Sequence, residues 1–107
     1  MKYAIAVAIA LSTTAAQAQF KDGNKLLSEM TGSQSAQLLA LGYVQGVSDA
    51  FSDVIFCPPG NVTAGQLQDM TKQYLEMYPG QRHRSADMIM ADIFKKAWPC
   101  PKRGNPT

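Results

Sequence analysis

The chain has 107 residues, ten Lys and Arg against eight Asp and Glu for a net charge of +2, 46% hydrophobic residues and two cysteines. So small a positive excess excludes the dense basic footprint of a nucleic-acid binder and a polybasic membrane patch, and the length suits one hydrophobic core rather than two. A protein or small-molecule partner is the expectation.

Residues 1–18 read as an export signal: Lys2 supplies the positive start, Tyr3 to Leu11 an apolar run, and Ala16-Gln17-Ala18 a small-residue cleavage site. Cleavage after Ala18 would place the mature protein, residues 19–107, in the periplasm. It would also remove Lys2, the one charge in that stretch, and lower the net charge from +2 to +1. The apolar run is shorter than the roughly 20 residues that span a bilayer, and no later stretch approaches that length, so no membrane association is expected after cleavage.

The mature chain shows helical patterns broken by Gly and Pro, with no repeat and no low-complexity run. The fold class is all-α, a small single-domain bundle of about four helices with one disulfide. A first helix is predicted over Asn24 to Met30, with Leu26, Leu27 and Met30 apolar and Thr31-Gly32 as its stop. A second runs from about Gln34 to Ile55, where Leu38, Leu41, Val44, Phe51 and Ile55 recur at helical spacing and Val47 and Val54 widen the stripe. Cys57-Pro58-Pro59-Gly60 cannot continue it.

Thr63 and Gln66 then form a T-x-x-Q capping box, with Val62 and Leu67 at the hydrophobic-staple positions. The third helix they open presents Leu67, Met70, Tyr74, Met77 and Tyr78 inward and stops at Pro79-Gly80. The fourth follows Ser85 as N-cap, with Asp87 in its first turn and Lys95 and Lys96 in its last, and buries Ile89, Met90, Ile93, Phe94 and Ala97. Trp98-Pro99-Cys100 ends it. The basic, breaker-rich tail Pro101 to Thr107 reads as a frayed terminus.

Two features bear on assembly. An even cysteine count in an exported chain is most simply one disulfide, Cys57 to Cys100, closing a loop of about 44 residues and stabilising the fold by roughly 4 kcal/mol in the chain-entropy view. Gly42, Gly46 and Ala50, four apart along the second helix, form a small-residue groove for close helix packing, within the subunit or across a homodimer seam. Two mid-helix glycines each cost about 1 kcal/mol against alanine, so such packing would offset them.

Reactive chemistry is scarce. His83 is the single histidine, too little for a metal site when both cysteines are oxidised, and no cofactor is expected. A Cys-His nucleophile would need the thiolate that a disulfide removes. Ser85, His83 and Asp87 lie near one another in sequence, which alone does not make a catalytic set, and the acidic residues show no pairing suited to acid and base work. The expectation is a protein that binds rather than an enzyme.

Several short motifs follow one another in a characteristic order: Gly23-Asn24-x-Leu26-Leu27, Gly42-Tyr43-x-x-Gly46-Val47, Phe56-Cys57-x-Pro59, Val62-Thr63, Gln66-Leu67, Tyr74-Leu75, Pro79, Arg82-His83, Ala86 and Trp98-Pro99-Cys100. In this order they resemble the Rap/Tai family of type VI secretion immunity proteins. The resemblance implies a small, helical periplasmic protein that binds and blocks a peptidoglycan amidase delivered by a neighbouring bacterium. Relatives commonly carry a second cysteine pair where this chain has Met30 and the Leu39-Ala40 region, so packing alone is expected to hold the first helix.

A blocking protein must cover a cleft with about 800 Å² per partner and a few buried anchors. The partner-binding candidates are Tyr78, Gln81, Arg82, His83 and Arg84 in the loop after the third helix; a plain interhelix linker is the competing reading. Pro58-Pro59-Gly60-Asn61, pinned by the disulfide, is a second candidate. The rival function is a small periplasmic acid-stress chaperone, which would release apolar surface as its carboxylates protonate.

Overall fold

Helices begin where a short polar side chain can take up backbone N–H groups that have no partner within the helix. The structure, a computed structural model, describes residues 20–102 and bears this out three times. Helix α1 spans Gly23–Met30 behind Asp22, whose carboxylate accepts the Lys25 N–H at 2.8 Å. Helix α2 spans Gln34–Phe51 behind Ser33, and α3 spans Ala64–Met77 behind Thr63, whose hydroxyl accepts the Gln66 N–H at 3.1 Å. Helix α4 spans Ala86–Ala97. The expected signal, residues 1–18, its cleavage site before Gln19 and the end of the tail lie outside the described residues.

Among the described residues the fold is the expected all-α bundle of four helices. Leu26 and Met30 of α1, Ala40 and Val44 of α2, Leu67 and Leu75 of α3, and Ala86, Ile89, Met90 and Phe94 of α4 share one core. Phe56, in the connection after α2, is fully buried and meets the Phe94 ring edge-on at 5.1 Å between centroids. Trp98 stacks on Phe94 at 5.9 Å between centroids, and its carbonyl accepts the Cys57 N–H at 2.9 Å. Beside this aromatic stack the Cys57–Cys100 disulfide joins segments 43 residues apart in sequence.

Helix α2 stops at Phe51 rather than at Ile55. Ser52 lies at φ −59°, ψ 133° and Asp53 at φ 64°, while the Val54 N–H donates to the Phe51 carbonyl at 3.0 Å. These are the marks of a type II turn, and Asp is among the residues that tolerate its left-handed position. The turn swings Val54 outward, where it is 74% exposed, and Phe56 inward.

The buried stripes of α2 and α3 are also rotated from the expected ones. On α2 the row is Ala40, Val44 and Ser48, which leaves Leu38 exposed. On α3 it is Leu67, Thr71 and Leu75, with Met70 and Tyr74 half-buried beside it and Met77 and Tyr78 on the outside. Ala97 of α4 is exposed as well. Ser85 precedes α4 without capping it: its hydroxyl contacts the Asp87 carboxylate, and the Ala86 N–H goes to the Lys21 carbonyl at 2.8 Å.

The rotation of α2 overturns the close packing expected at Gly42, Gly46 and Ala50 within the subunit. All three face outward, and a Cβ built on Gly42 or Gly46 would meet nothing within 4 Å. The glycine that does serve close approach is Gly23, buried at the start of α1. A Cβ there would lie 2.8 Å from Leu75 Cδ2, 2.9 Å from Ile89 Cδ1 and 3.0 Å from the Arg82 carbonyl oxygen.

Polar contacts reinforce the packing of α1. Lys21 forms an ion pair with Glu29, a residue only 8% exposed, and sets its ammonium 4.6 Å from the centre of the Tyr43 ring on α2. Burial, assisted by the negative charge of Asp87 on α4, pushes the Tyr43 hydroxyl above its ordinary pKa of 10.0, against an opposing hydrogen bond from the Asp87 backbone. This cluster joins the N-terminal segment to α1, α2 and α4.

Two predictions follow from this packing. In urea melts, Gly23→Ala should lose about 1 to 3 kcal/mol through overpacking, whereas Gly46→Ala should gain up to about 1 kcal/mol because its methyl enters open space and favours helix. The folded chain also holds the Tyr43 proton more tightly than the unfolded chain does. That contribution is complete below the ordinary value of 10.0 and is lost as pH rises through the folded value. Between about pH 8 and about pH 11 the wild type should therefore lose more stability than Tyr43→Phe, measured as paired urea midpoints.

Candidate partner-binding surface

Pro79 has no N–H to offer and ends α3, after which the chain tightens into a 3-10 turn over Pro79–Gln81. The Gln81 N–H donates to the Tyr78 carbonyl at 3.0 Å, the Arg82 N–H to Pro79 at 3.3 Å and the Arg84 N–H to Gln81 at 3.1 Å. These successive bonds make the segment a coiled connection rather than a slack linker.

Arg82 points inward. Its Nε donates to the Leu75 carbonyl at 2.6 Å and its Nη2 reaches the Glu76 carbonyl at 3.5 Å, which satisfies carbonyls left unpaired at the end of α3. Its own carbonyl accepts the Asn24 N–H at 2.9 Å, and the Arg84 carbonyl accepts the Gly23 N–H at 3.0 Å. The loop therefore closes the C-terminal end of one helix and the N-terminal end of another.

Arg84 is committed as well, through Nη2 to the Asp92 carboxylate of α4 at 2.6 Å and Nη1 to Gln81 Oε1 at 3.4 Å. The hydrogen bond that it donates to Asp92 raises the Arg84 pKa further above its already high value, so the guanidinium stays charged. His83 is the exposed apex between the two arginines. Its neighbour Ser85 bonds to Asp87 rather than to His83, so the three residues are not wired as a nucleophile, base and orienting acid. Among the described residues no group of His, Cys, Asp and Glu is placed to hold a metal ion.

Beside the loop lies an apolar patch that the sequence pattern hid. Tyr78 is 48% exposed and packs on Tyr74 at 4.7 Å between ring centroids; Met77 is 61% exposed. With Met70, Gln73 and Ile93 they line a shallow groove between α3 and α4. Leu75 holds the clue, because Met77 falls about 200° around the helix from it and must face out once Leu75 is inside. The outward-facing members of the expected set are thus Tyr78 and His83, with Met77 added, while Arg82 braces the loop against the end of α3 and Arg84, with Gln81, ties it to Asp92 at the surface of α4.

Residues 22–100 match the Rap1a immunity proteins. The chain belongs to that family. The matched span starts at the Asp22 cap of α1 and ends at Cys100, so the four helices, the disulfide and the Pro79–Arg84 loop all fall within the family's domain. No curated protein and no solved structure matched the chain. Membership of an immunity family implies a role in resisting an effector, and the exposed groove and loop apex are surfaces through which such a protein can bind.

The division of labour within the loop is open to test. Arg82→Ala removes a charged donor from two helix carbonyls and should lower stability by about 1.5 to 3 kcal/mol. His83→Ala touches nothing internal and should leave the thermal midpoint unchanged. Equal melting of the two variants would count against Arg82 as the brace.

Proposed function

We propose that the protein is a periplasmic immunity protein that binds a peptidoglycan amidase delivered by type VI secretion and occludes its catalytic cleft. The observation that carries this reading is the family match over residues 22–100. The export signal read in residues 1–18 supports the compartment, and the Rap/Tai resemblance of the motifs supports the amidase as partner. The protein acts without catalysis of its own: it excludes substrate by filling the site.

The surface beside the loop suits that task. Aromatic, methionine and histidine side chains offer large contact area, and because the loop is already ordered, little conformational freedom is lost on docking. Arg82 and Arg84 contribute by holding Tyr78 and His83 in place. Occlusion by a single subunit and occlusion by a homodimer are both compatible with this surface.

The test takes a secreted effector encoded beside this gene, expected to be an amidase, and produces it in the periplasm with and without the protein. Wild type should bind it and restore survival. Met77→Ala with Tyr78→Ala should keep the wild-type melting temperature yet lose 2 kcal/mol or more of binding, about thirtyfold in Kd. Normal protection by that double variant would move the interface elsewhere and leave immunity standing. A wild type that binds no neighbouring effector, and instead suppresses aggregation of other proteins at low pH, would establish the chaperone reading in its place.

A further inference from the structure

At the far end of α2 a second depression opens between the last turns of that helix, the Pro58-Pro59 segment and the start of α3. Its lining combines Ser48, Asp49 and Ser52 with the apolar walls of Pro58, Pro59 and Leu67. Asp49 is the only ionisable group in that lining, and it stands exposed at the rim. The C-terminal end of α2 and the N-terminal end of α3 meet here with opposite partial charges that offset one another, so the Asp49 carboxylate sets the sign of the cleft.

A second observation is independent of that charge. Ser48 is 4% exposed, and its Oγ has no hydrogen-bond partner among the described residues. Unsatisfied buried oxygens destabilise a fold and are uncommon in native interiors. The one on the wall of this depression, Ser48 Oγ, is accounted for if a ligand supplies a donor there.

We infer that this cleft receives an arginine side chain of the effector. The guanidinium carries five donors in a rigid fork and a positive charge, which match one carboxylate and one orphaned acceptor, while the aliphatic stem lies along the proline and leucine walls. The disulfide holds the wall in position, because Pro58 directly follows Cys57. The inference rests on the reading of the protein as an effector binder, and it assigns that binder a second, charge-selective anchor apart from the apolar groove.

The test has two arms. In the first, N-acetyl-L-arginine amide is titrated into the mature protein and followed by amide NMR, with the neutral isostere N-acetyl-L-citrulline amide as control. Saturable shifts confined to residues 45–52 and 58–68, seen with the arginine probe alone and abolished in Asp49→Asn, are expected. No saturable shift, or equal shifts with citrulline, overturns the inference. In the second arm the effector is titrated against variants. Asp49→Lys should weaken binding at least tenfold, while Asp69→Lys, an exposed acid of α3 outside the cleft, should not. Ser48→Ala should weaken binding too, yet melt no earlier than wild type, because it deletes an unpaired hydroxyl. Wild-type affinity in Asp49→Lys overturns the cleft and leaves immunity intact. If wild type itself binds no effector, the immunity reading fails and the arginine titration decides the cleft alone.

Discussion

Arg82 closes two helix ends at once. Its guanidinium takes the carbonyls of Leu75 and Glu76 at the end of α3, and its own carbonyl takes the Asn24 N–H at the start of α1. Backbone groups at helix termini must be satisfied by something, and here one residue serves both ends. The position of α1 on the bundle and the shape of the exposed loop are thereby the same constraint. Gly23 shows how tightly it is drawn, since a single added methyl would meet the Arg82 carbonyl oxygen at 3.0 Å.

Where local rules decide structure, the sequence can be read directly. The Thr63 cap, the proline stop after α3, the helix count and the Cys57–Cys100 pair follow from residue chemistry within a few positions or from cysteine count and compartment. Side-chain rotation about α2 and α3 was not legible in the same way. Leu38, Leu39, Leu41, Val44 and Val47 give α2 more apolar positions than one face can bury, and the choice among them is made by α1, α3 and the turn at Asp53. The small residues at 42, 46 and 50 looked like a packing groove because their spacing suits one, yet within the subunit they are what remains on the outer face once Ala40, Val44 and Ser48 go in.

The candidate surface was half legible for a related reason. Exposure of the Pro79–Arg84 loop follows from its breakers, so His83 could be named as an outward residue, whereas Tyr78 fell at an apolar position of the third helix and was expected inside as well as beside the loop. That Arg82 turns inward depends on the ends of α1 and α3 lying within its reach, a tertiary fact with no local signature. The substitute for a second disulfide was equally hidden. Met30 and Ala40 fill core positions with apolar atoms, and the Lys21–Glu29 pair with the Tyr43 ring adds a polar clasp. Glu29 is buried deeply enough that loss of Lys21 would strand its charge, a larger penalty than the pair's own net benefit.

The stack of Phe56, Phe94 and Trp98 beside the disulfide gives the molecule an internal reporter. Trp98 is the chain's single tryptophan, so its emission samples one corner of the fold, whereas circular dichroism averages over all four helices. Coincident unfolding curves from the two signals would mark a bundle that opens as one cooperative unit. A fluorescence change running ahead of the loss of ellipticity would mean that the α4 end and the Cys57 segment open first while the other helices persist. Because Trp98 is itself only half-buried, its environment is also open to quenchers, and the accessible fraction can be followed in the intact protein without any attached dye.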